Sequence, residues 1–165
     1  MKRGSMRKTL FRTNAIILGI AIAGNAQTEK LWTVLPSTEA RDVEIWYSNQ
    51  GAKRVTGTWS PNQADIDLAE SRLSQVHELS IRSKMEYRII EHPEQYFRQY
   101  IGIVQSNRKR IYLSAFCGME NGVQVPPSYW HEKLFEIEDG GSCVWQALFD
   151  VETRTFIELR VNGVG

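Results

Sequence analysis

The stretch that decides the fold is Tyr100–Cys117, with the sequence YIGIVQSNRKRIYLSAFC. Its two ends, Tyr100–Gln105 and Arg110–Cys117, are rich in β-branched and aromatic residues, which favour strands. The polar residues Ser106–Lys109 separate them and are typical of a turn. Because a short connection joins strands that run in opposite directions, these residues predict an antiparallel hairpin closed by Ser106–Lys109.

Further strands are predicted on both sides of this hairpin. Asn49–Gly51 and Asp150–Arg154 have turn composition and separate some of them. Since the connections are short, we expect an antiparallel sheet. The predicted strands are Leu31–Val34, Val43–Ser48, Arg54–Trp59, Lys133–Glu138, Cys143–Asp150 and Thr155–Val161.

One long helix is predicted from Pro61 to Ser83. Ser60 is the expected N-cap, and Gln63 completes a capping box. Apolar residues recur at helical spacing and predict a buried stripe on this helix. They are Ile66, Ala69, Leu73 and Val76. The expected fold class is therefore α+β, with one long helix packed across an antiparallel sheet, for which a cystatin-like or NTF2-like topology is possible.

The first 26 residues have the order of a secretory signal peptide. Five basic residues precede an apolar run, Ala15–Gly24, and small residues follow at Gly24 and Ala26. The run is shorter than the roughly 20 residues that a membrane-spanning helix needs. We therefore predict a signal peptide over 1–26 and one α+β domain over 27–165, periplasmic or secreted, with no stable membrane span after cleavage. The alternative is an uncleaved amphipathic or membrane-anchoring N-terminus.

The charge of the expected mature chain disfavours nucleic acid as a partner. Five of the twenty basic residues lie in the leader, whereas all nineteen acidic residues follow it. The mature chain then has fifteen basic residues and a net charge of −4, which lacks the basic footprint of nucleic-acid binding. The one basic cluster, Asn107–Arg110, is expected at a solvated hairpin tip.

The two cysteines predict one disulfide. Alternation places each of them on the more apolar face of its strand, and Cys117 ends one strand while Cys143 begins a later one. In an exported chain such a pair is expected to bond if the strands are antiparallel neighbours. Two separate buried thiols or one reactive thiol are the alternatives. Before Cys143, the residues Asp139–Gly141 predict a tight turn.

A small cysteine- or histidine-dependent hydrolase is the alternative function. Cys143 or Cys117 would be the nucleophile and His131 the base. His77, His92 and His131 are scattered, and neither a nucleophile elbow nor metal-ligand spacing is present in the sequence. We therefore assign no catalytic residue, no cofactor and no metal ligand.

Two aromatic segments are the candidate binding residues. Tyr96, Arg98 and Tyr100 share one face if the strand begins early, and they would offer a cation–π surface. Tyr129, Trp130 and His131 follow two prolines, and a loop stiffened in this way loses little entropy on binding. The alternatives are that the first segment packs against a sheet edge or the helix and that Trp130 covers the core. Asp139 is added as a carboxylate whose burial would indicate a site.

From Tyr96 onward the chain resembles a set of small uncharacterised secreted bacterial proteins. The matching segments are Tyr96–Gly102 (Tyr-x-Arg-Gln-Tyr-x-Gly), Ile111–Cys117 (Ile-Tyr-x-x-x-Phe-Cys), Asp139–Trp145 (Asp-Gly-Gly-x-x-x-Trp) and Asn162-Gly163. The resemblance implies export and an α+β fold and implies no activity. The inhibitory hairpin of the cystatins, Gln-x-Val-x-Gly, is absent from the sequence. We therefore expect a non-enzymatic binding or inhibitor-type protein whose partner is a protein or a small molecule of the bacterial envelope.

Overall fold

The structure, a computed structural model, describes residues 30–43, 54–82, 89–120, 123–124, 128–137 and 139–163. The expected signal peptide, most of the strand predicted at Val43–Ser48 and the turn at Asn49–Gly51 lie outside these ranges. The helices are α1 (Gln63–Glu70) and α2 (Ser74–Arg82), with a short helical stretch over the described residues 40–43 and 3-10 turns at Ser37–Glu39, Pro93–Gln95 and Gly141–Cys143. Val43, where a strand was expected to begin, is therefore helical. The strands are β1 (Trp32–Val34), β2 (Val55–Thr58), β3 (Phe97–Gln105), β4 (Arg108–Phe116), β5 (Met119–Glu120), β6 (Val123–Gln124), β7 (Val144–Asp150) and β8 (Thr155–Val161).

Six of these strands form one mixed sheet in the order β1, β3, β4, β7, β8, and β2 shares the outer edge of β3 with β1. β1 pairs with the first half of β3 in parallel, whereas β2 pairs with the second half in the antiparallel direction. The other pairs, β3 with β4, β4 with β7, and β7 with β8, are antiparallel. The prediction of a purely antiparallel sheet is therefore wrong at the β1 edge.

The central hairpin is confirmed, with a tighter turn than expected. β3 and β4 pair from Phe97 with Phe116 to Gln105 with Arg108, which leaves two residues in the loop. Both of them, Ser106 and Asn107, have positive φ, at 52° and 59°. Positive φ at both central residues defines the type I′ turn, whose twist matches that of the strands it joins.

The long helix predicted from Pro61 to Ser83 is wrong, because the structure has two short helices there. The Ser71 hydroxyl donates to the Leu68 carbonyl at 2.7 Å, and a hydroxyl bonded to the main chain competes with the helical ladder. The amides of Arg72 and Leu73 then bond three residues back instead of four. The apolar stripe of the prediction, Ile66, Ala69, Leu73 and Val76, is nevertheless buried in the core.

The helix also begins later than predicted. Asn62 is the N-cap: its side chain accepts from the Asp65 amide, and the Asp65 carboxylate accepts from the Asn62 amide. Ser60 cannot start the helix because the chain is still bound to the sheet at this point. The Trp59 amide donates to the Gly102 carbonyl at 3.1 Å, and the Trp59 indole donates to two further strand carbonyls.

Gly102 allows this crossing. A Cβ atom at that position would lie 2.2 Å from the Trp59 carbonyl oxygen and 2.8 Å from the Pro61 Cδ atom. No side chain fits at such distances. The glycine therefore fixes where the segment before α1 passes over the sheet.

Both faces of the sheet are covered. The helical face packs α1 and α2 against residues such as Tyr100, Leu113 and Trp145. On the opposite face, Leu35, Ala40 and Val43 pack on Ile101, Tyr112 and Leu148. Consequently every residue of β7 is buried, as expected for a strand that is covered on both faces. Core residues on the opposite face require a second covering layer, which residues 128–137 help to supply.

Candidate functional site

Residues 128–137, here called the strap, cross the face of the sheet opposite the helices. The strand predicted at Lys133–Glu138 is wrong for its described residues, 133–137, which are irregular. β7 already pairs with β4 and β8 on its two edges, so no edge of that strand is left for this segment. An irregular segment packed on a sheet must find other partners for its main-chain polar groups.

Gln99 on β3 supplies most of these partners. Its side-chain amide donates to the carbonyls of Trp130 at 2.5 Å and Lys133 at 2.7 Å. Its side-chain oxygen accepts from the Phe135 amide at 2.7 Å. Ser114, the neighbour of Gln99 on β4, donates to the Phe135 carbonyl at 3.1 Å. Two strand side chains therefore make four hydrogen bonds to the main chain of the strap.

Glu39 holds the strap from the other side. Its carboxylate accepts from the Leu134 amide at 3.0 Å and pairs with the Lys133 ammonium at 3.2 Å. Glu39 is buried, whereas Lys133 is exposed. The carboxylate therefore ties residues 37–43 to the strap and is not available to an external ligand.

Trp130 anchors the strap in the core. It is only 4% exposed and lies edge-on to Phe97, with ring centroids 5.3 Å apart. Phe116 completes the cluster, and the Phe135 ring packs on Phe116 with their ring centroids 4.4 Å apart. The structure thus gives Trp130 the alternative role of covering the core, and its indole is not part of an exposed binding surface.

The residues on either side of Trp130 are exposed. Tyr129 is 47% exposed, and His131 is exposed with its ring centroid 4.0 Å from that of Trp130. The amides of Glu132 and Lys133 both bond to the Tyr129 carbonyl, at 2.9 and 3.0 Å. Tyr129 and His131 therefore project from a turn whose backbone and central side chain are fixed. We call these two side chains the display pair.

The predicted aromatic–basic group on β3 lies elsewhere. Tyr96, Arg98 and Tyr100 do share a face, but it is the helical face, and Arg98 and Tyr100 are buried there. The Arg98 guanidinium pairs in a bidentate manner with the Glu70 carboxylate at 2.8 and 2.9 Å. The Tyr100 hydroxyl donates to the same carboxylate. This group therefore joins α1 to the sheet, and it does not adjoin the display pair.

The pKa values of this network follow from its burial and charges. Burial alone would lower the pKa of Arg98, but the hydrogen bonds and the charge of Glu70 raise it overall. Burial, followed by the Glu70 charge, raises the pKa of Tyr100 well above its ordinary value. Arg98 thus stays a cation and Tyr100 a neutral donor, which fits a structural link. Tyr96 donates to the Ser142 carbonyl at 3.0 Å, and burial and then the Glu91 charge raise its pKa.

The disulfide corner is as predicted. Cys117 and Cys143 are at bonding distance with Cα atoms 5.0 Å apart, and the strands they flank are antiparallel neighbours. Gly140 and Gly141 have φ of 116° and 53°, which favours glycine, and the turn itself is the 3-10 turn Gly141–Cys143, slightly later than the predicted Asp139–Gly141. Asp139 is exposed, so it is not a buried carboxylate.

The hydrolase alternative loses its nucleophile at this corner. A bonded cysteine offers no thiolate for attack on a substrate. The ring Nδ1 of His77 is engaged with the Ile90 carbonyl at 2.8 Å, and His92 lies beside Glu94. Across the described ranges, no three His, Cys, Asp or Glu residues are grouped to hold a metal ion. Nor does any helix in that part of the chain have the length and apolar character of a membrane span.

A second feature, which the sequence did not indicate, is an open cleft of about 450 Å³ at the β2 edge of the sheet. One wall comes from residues 37–41 and the other from residues 54–58. The two walls are separated by a dozen positions in the sequence, and no motif connects them. The two walls come together because β1 and β2 pair with the same edge of β3, one after the other.

Comparisons with protein-family models, curated proteins and solved structures find no match. The geometry of the strap and of the cleft is therefore the basis for a function.

Proposed function

We propose that this chain is an exported, non-catalytic binding domain that contacts a protein of the bacterial envelope through the display pair, Tyr129 and His131. The observation that carries the proposal is the fixed turn beneath these side chains. Trp130 is buried at its centre, and Gln99 donates to the main-chain carbonyls of Trp130 and Lys133. An exposed tyrosine on a pre-ordered turn offers a large contact area at a low entropic cost.

The compartment part of the proposal rests on the leader and the disulfide. The order of basic, apolar and small residues at the N-terminus is typical of a signal peptide. A cysteine pair at bonding distance is compatible with an oxidising environment. Expression of the full chain, followed by cell fractionation and mass spectrometry, tests this part. We expect an envelope or extracellular product that begins at Gln27; a full-length cytoplasmic product would contradict it.

Photo-crosslinking tests the binding part. The full chain carries p-benzoylphenylalanine at position 129 in one sample and at position 81 in another, because Ile81 is also exposed, at 52%, on α2. We expect a discrete protein adduct from position 129 that is missing from position 81. The same adducts from both positions, or none from position 129, would contradict the proposed surface.

Binding of the protein identified in this way is then measured with purified variants. Replacement of both Tyr129 and His131 by alanine is expected to weaken binding by about tenfold or more, as for a central interface residue. Ile81→Ala is the matched control and should bind like the wild type. Thermal unfolding should be nearly unchanged in all variants because the substituted side chains are exposed. A loss of affinity that accompanies unfolding would refute a direct role for the display pair.

A further inference from the structure

We propose that the groove between α2 and β8 binds a free amino acid with an apolar side chain, held by its ammonium and carboxylate groups. The volume of the groove, about 300 Å³, is at the lower end of the usual range for small-ligand sites and suits a ligand of this size. Both elements contribute lining residues, which are Gln75, Glu78, Leu79, Arg82, Thr155 and Phe156. None of them belongs to the strap, so this site is independent of the display pair.

Two opposite charges line the helix wall of the groove. Glu78 and Arg82 lie one turn apart on α2, so their side chains lie on the same side of the helix. Both are exposed, and within the described part of the chain neither is paired with the other or with a further side chain. A ligand of a single charge would meet one attractive and one repulsive group here. A zwitterion instead places its ammonium against Glu78 and its carboxylate against Arg82.

Gln75 adds an oriented donor for the carboxylate. Its side-chain oxygen accepts from the Phe156 amide at 2.9 Å, which fixes the end of the side chain that faces β8. The side-chain NH₂ group has no partner among the described residues and is free to donate to a ligand in the groove. Because Gln75 lies two turns before Arg82 on the same side of α2, both residues can donate to one carboxylate.

The apolar part of the lining favours an apolar side chain on the ligand. Phe156 is buried and packs edge-on against Phe149, with ring centroids 5.1 Å apart, and Leu79 packs against the same core. These two side chains are already ordered, so little further entropy is lost when a ligand covers them. An aliphatic group placed against them is removed from water, which favours an amino acid such as leucine.

Titration followed by NMR tests the proposal with three probes that share one aliphatic group: L-leucine, isocaproate, which lacks the ammonium, and isoamylamine, which lacks the carboxylate. We expect leucine to shift the amide signals of residues 75–82 and 155–156. Each of the other probes should bind at least about tenfold more weakly, because each loses one charged hydrogen bond. Equal binding of all three probes, or the absence of localised shifts from leucine, would overturn the proposal.

Variants give an independent measurement. Glu78→Gln and Arg82→Gln should each weaken the binding of leucine by about tenfold or more. Glu78→Gln should not weaken the binding of isocaproate, since that probe has no ammonium for the carboxylate to bind. A loss of isocaproate binding in this variant would mean that the substitution acts through the fold, and it would overturn the assigned role of Glu78.

Glu132→Gln and Arg72→Gln are the matched controls. They make the same chemical changes at exposed positions outside the groove and should leave the affinity for leucine unchanged. An equal effect of all four substitutions would mean non-specific attraction to surface charge and would overturn the site. Loss of leucine binding would leave crosslinking at position 129 unaffected, so this proposal and the proposed function fail separately.

Discussion

Replacement of Gln99 by methionine should detach the strap from the sheet. Methionine has a similar length and shape but lacks the three hydrogen-bonding contacts that Gln99 makes to the strap. The carbonyls of Trp130 and Lys133 and the amide of Phe135 would lose their partners in a buried layer. A buried polar group without a partner costs about 1–3 kcal/mol.

The strap can respond in two ways, and both lower stability. If it stays in place, three unsatisfied main-chain groups cost about 3–9 kcal/mol in total. If it lifts, the Trp130 side chain becomes exposed, which costs about 3 kcal/mol in apolar burial. The molecule takes the less costly route. We therefore expect Gln99→Met to reduce the free energy of unfolding by about 3 kcal/mol.

Gln146 provides a matched control. Gln99, Ser114 and Gln146 lie side by side on three neighbouring strands and are here called the polar row. Gln99 pairs with Ser114 in the sheet register, and Ser114 pairs with Gln146 on the next strand. Gln146 is 3% exposed, and its side-chain oxygen has no hydrogen-bond partner within the described part of the chain. Gln146→Met removes that acceptor without removing a strap contact. It should change stability by less than about 1 kcal/mol.

Urea unfolding and amide hydrogen exchange measure the two substitutions. Unfolding gives the change in global free energy, and exchange of the Phe135 amide reports whether the strap opens locally. Gln99→Met should accelerate that exchange strongly, whereas Gln146→Met should not. If the two variants lose equal stability, or if the Phe135 amide stays protected in Gln99→Met, the side-chain clamp is not what holds the strap.

Three further predictions concern the corner, the crossing segment and pH. Replacement of both Cys117 and Cys143 by alanine should cost about 3.5 kcal/mol for a cross-link that spans 26 residues, measured by urea unfolding; a loss below about 1 kcal/mol would contradict it. Gly102→Ala should cost more than 2 kcal/mol because its Cβ atom would overlap the crossing main chain, whereas Gly57→Ala, with its nearest contact at 3.8 Å, should be nearly neutral in the same thermal-unfolding assay. Burial raises the pKa of the Asp150 carboxyl, but the amides of Thr153 and Glu152 and the charge of Arg108 lower it overall. The ionised carboxylate therefore stabilises the folded state above about pH 4, and this contribution is lost as the pH falls further. Asp150→Asn should therefore lose less stability than the wild type between about pH 5 and pH 2, and equal pH profiles would refute this.

Local patterns predict the parts of this fold that depend on neighbouring residues. Alternation identifies β3 and β4, and the polar residues between them mark the turn. The cysteine prediction is correct for the same reason, since the faces and ends of Cys117 and Cys143 follow from strand alternation alone. The helical stripe is also correct, because an apolar face keeps its spacing across the short break at Ser71.

The failures involve partners that are distant in the sequence. Nothing near Lys133 shows that both edges of β7 are occupied, so the alternation at Lys133–Glu138 predicts a strand. Nothing near Trp130 shows that Phe97 and Phe116 bury its ring. The break in the predicted helix is the exception: the Ser71 hydroxyl bonds to Leu68, only three residues away, but the apolar period does not reveal this contact. The cleft at the β2 edge has no local signal at all.

The polar row explains why the second covering layer was missed. A glutamine or serine that alternates with apolar residues in a strand usually indicates a solvated face. Here Gln99 and Ser114 are fully buried, and they face the main chain of the strap. Because an irregular layer cannot satisfy its own amides and carbonyls, the sheet must present side chains that do so. Polar side chains on adjacent central strands are therefore as consistent with a covering loop as with solvent, and only the strand register distinguishes the two.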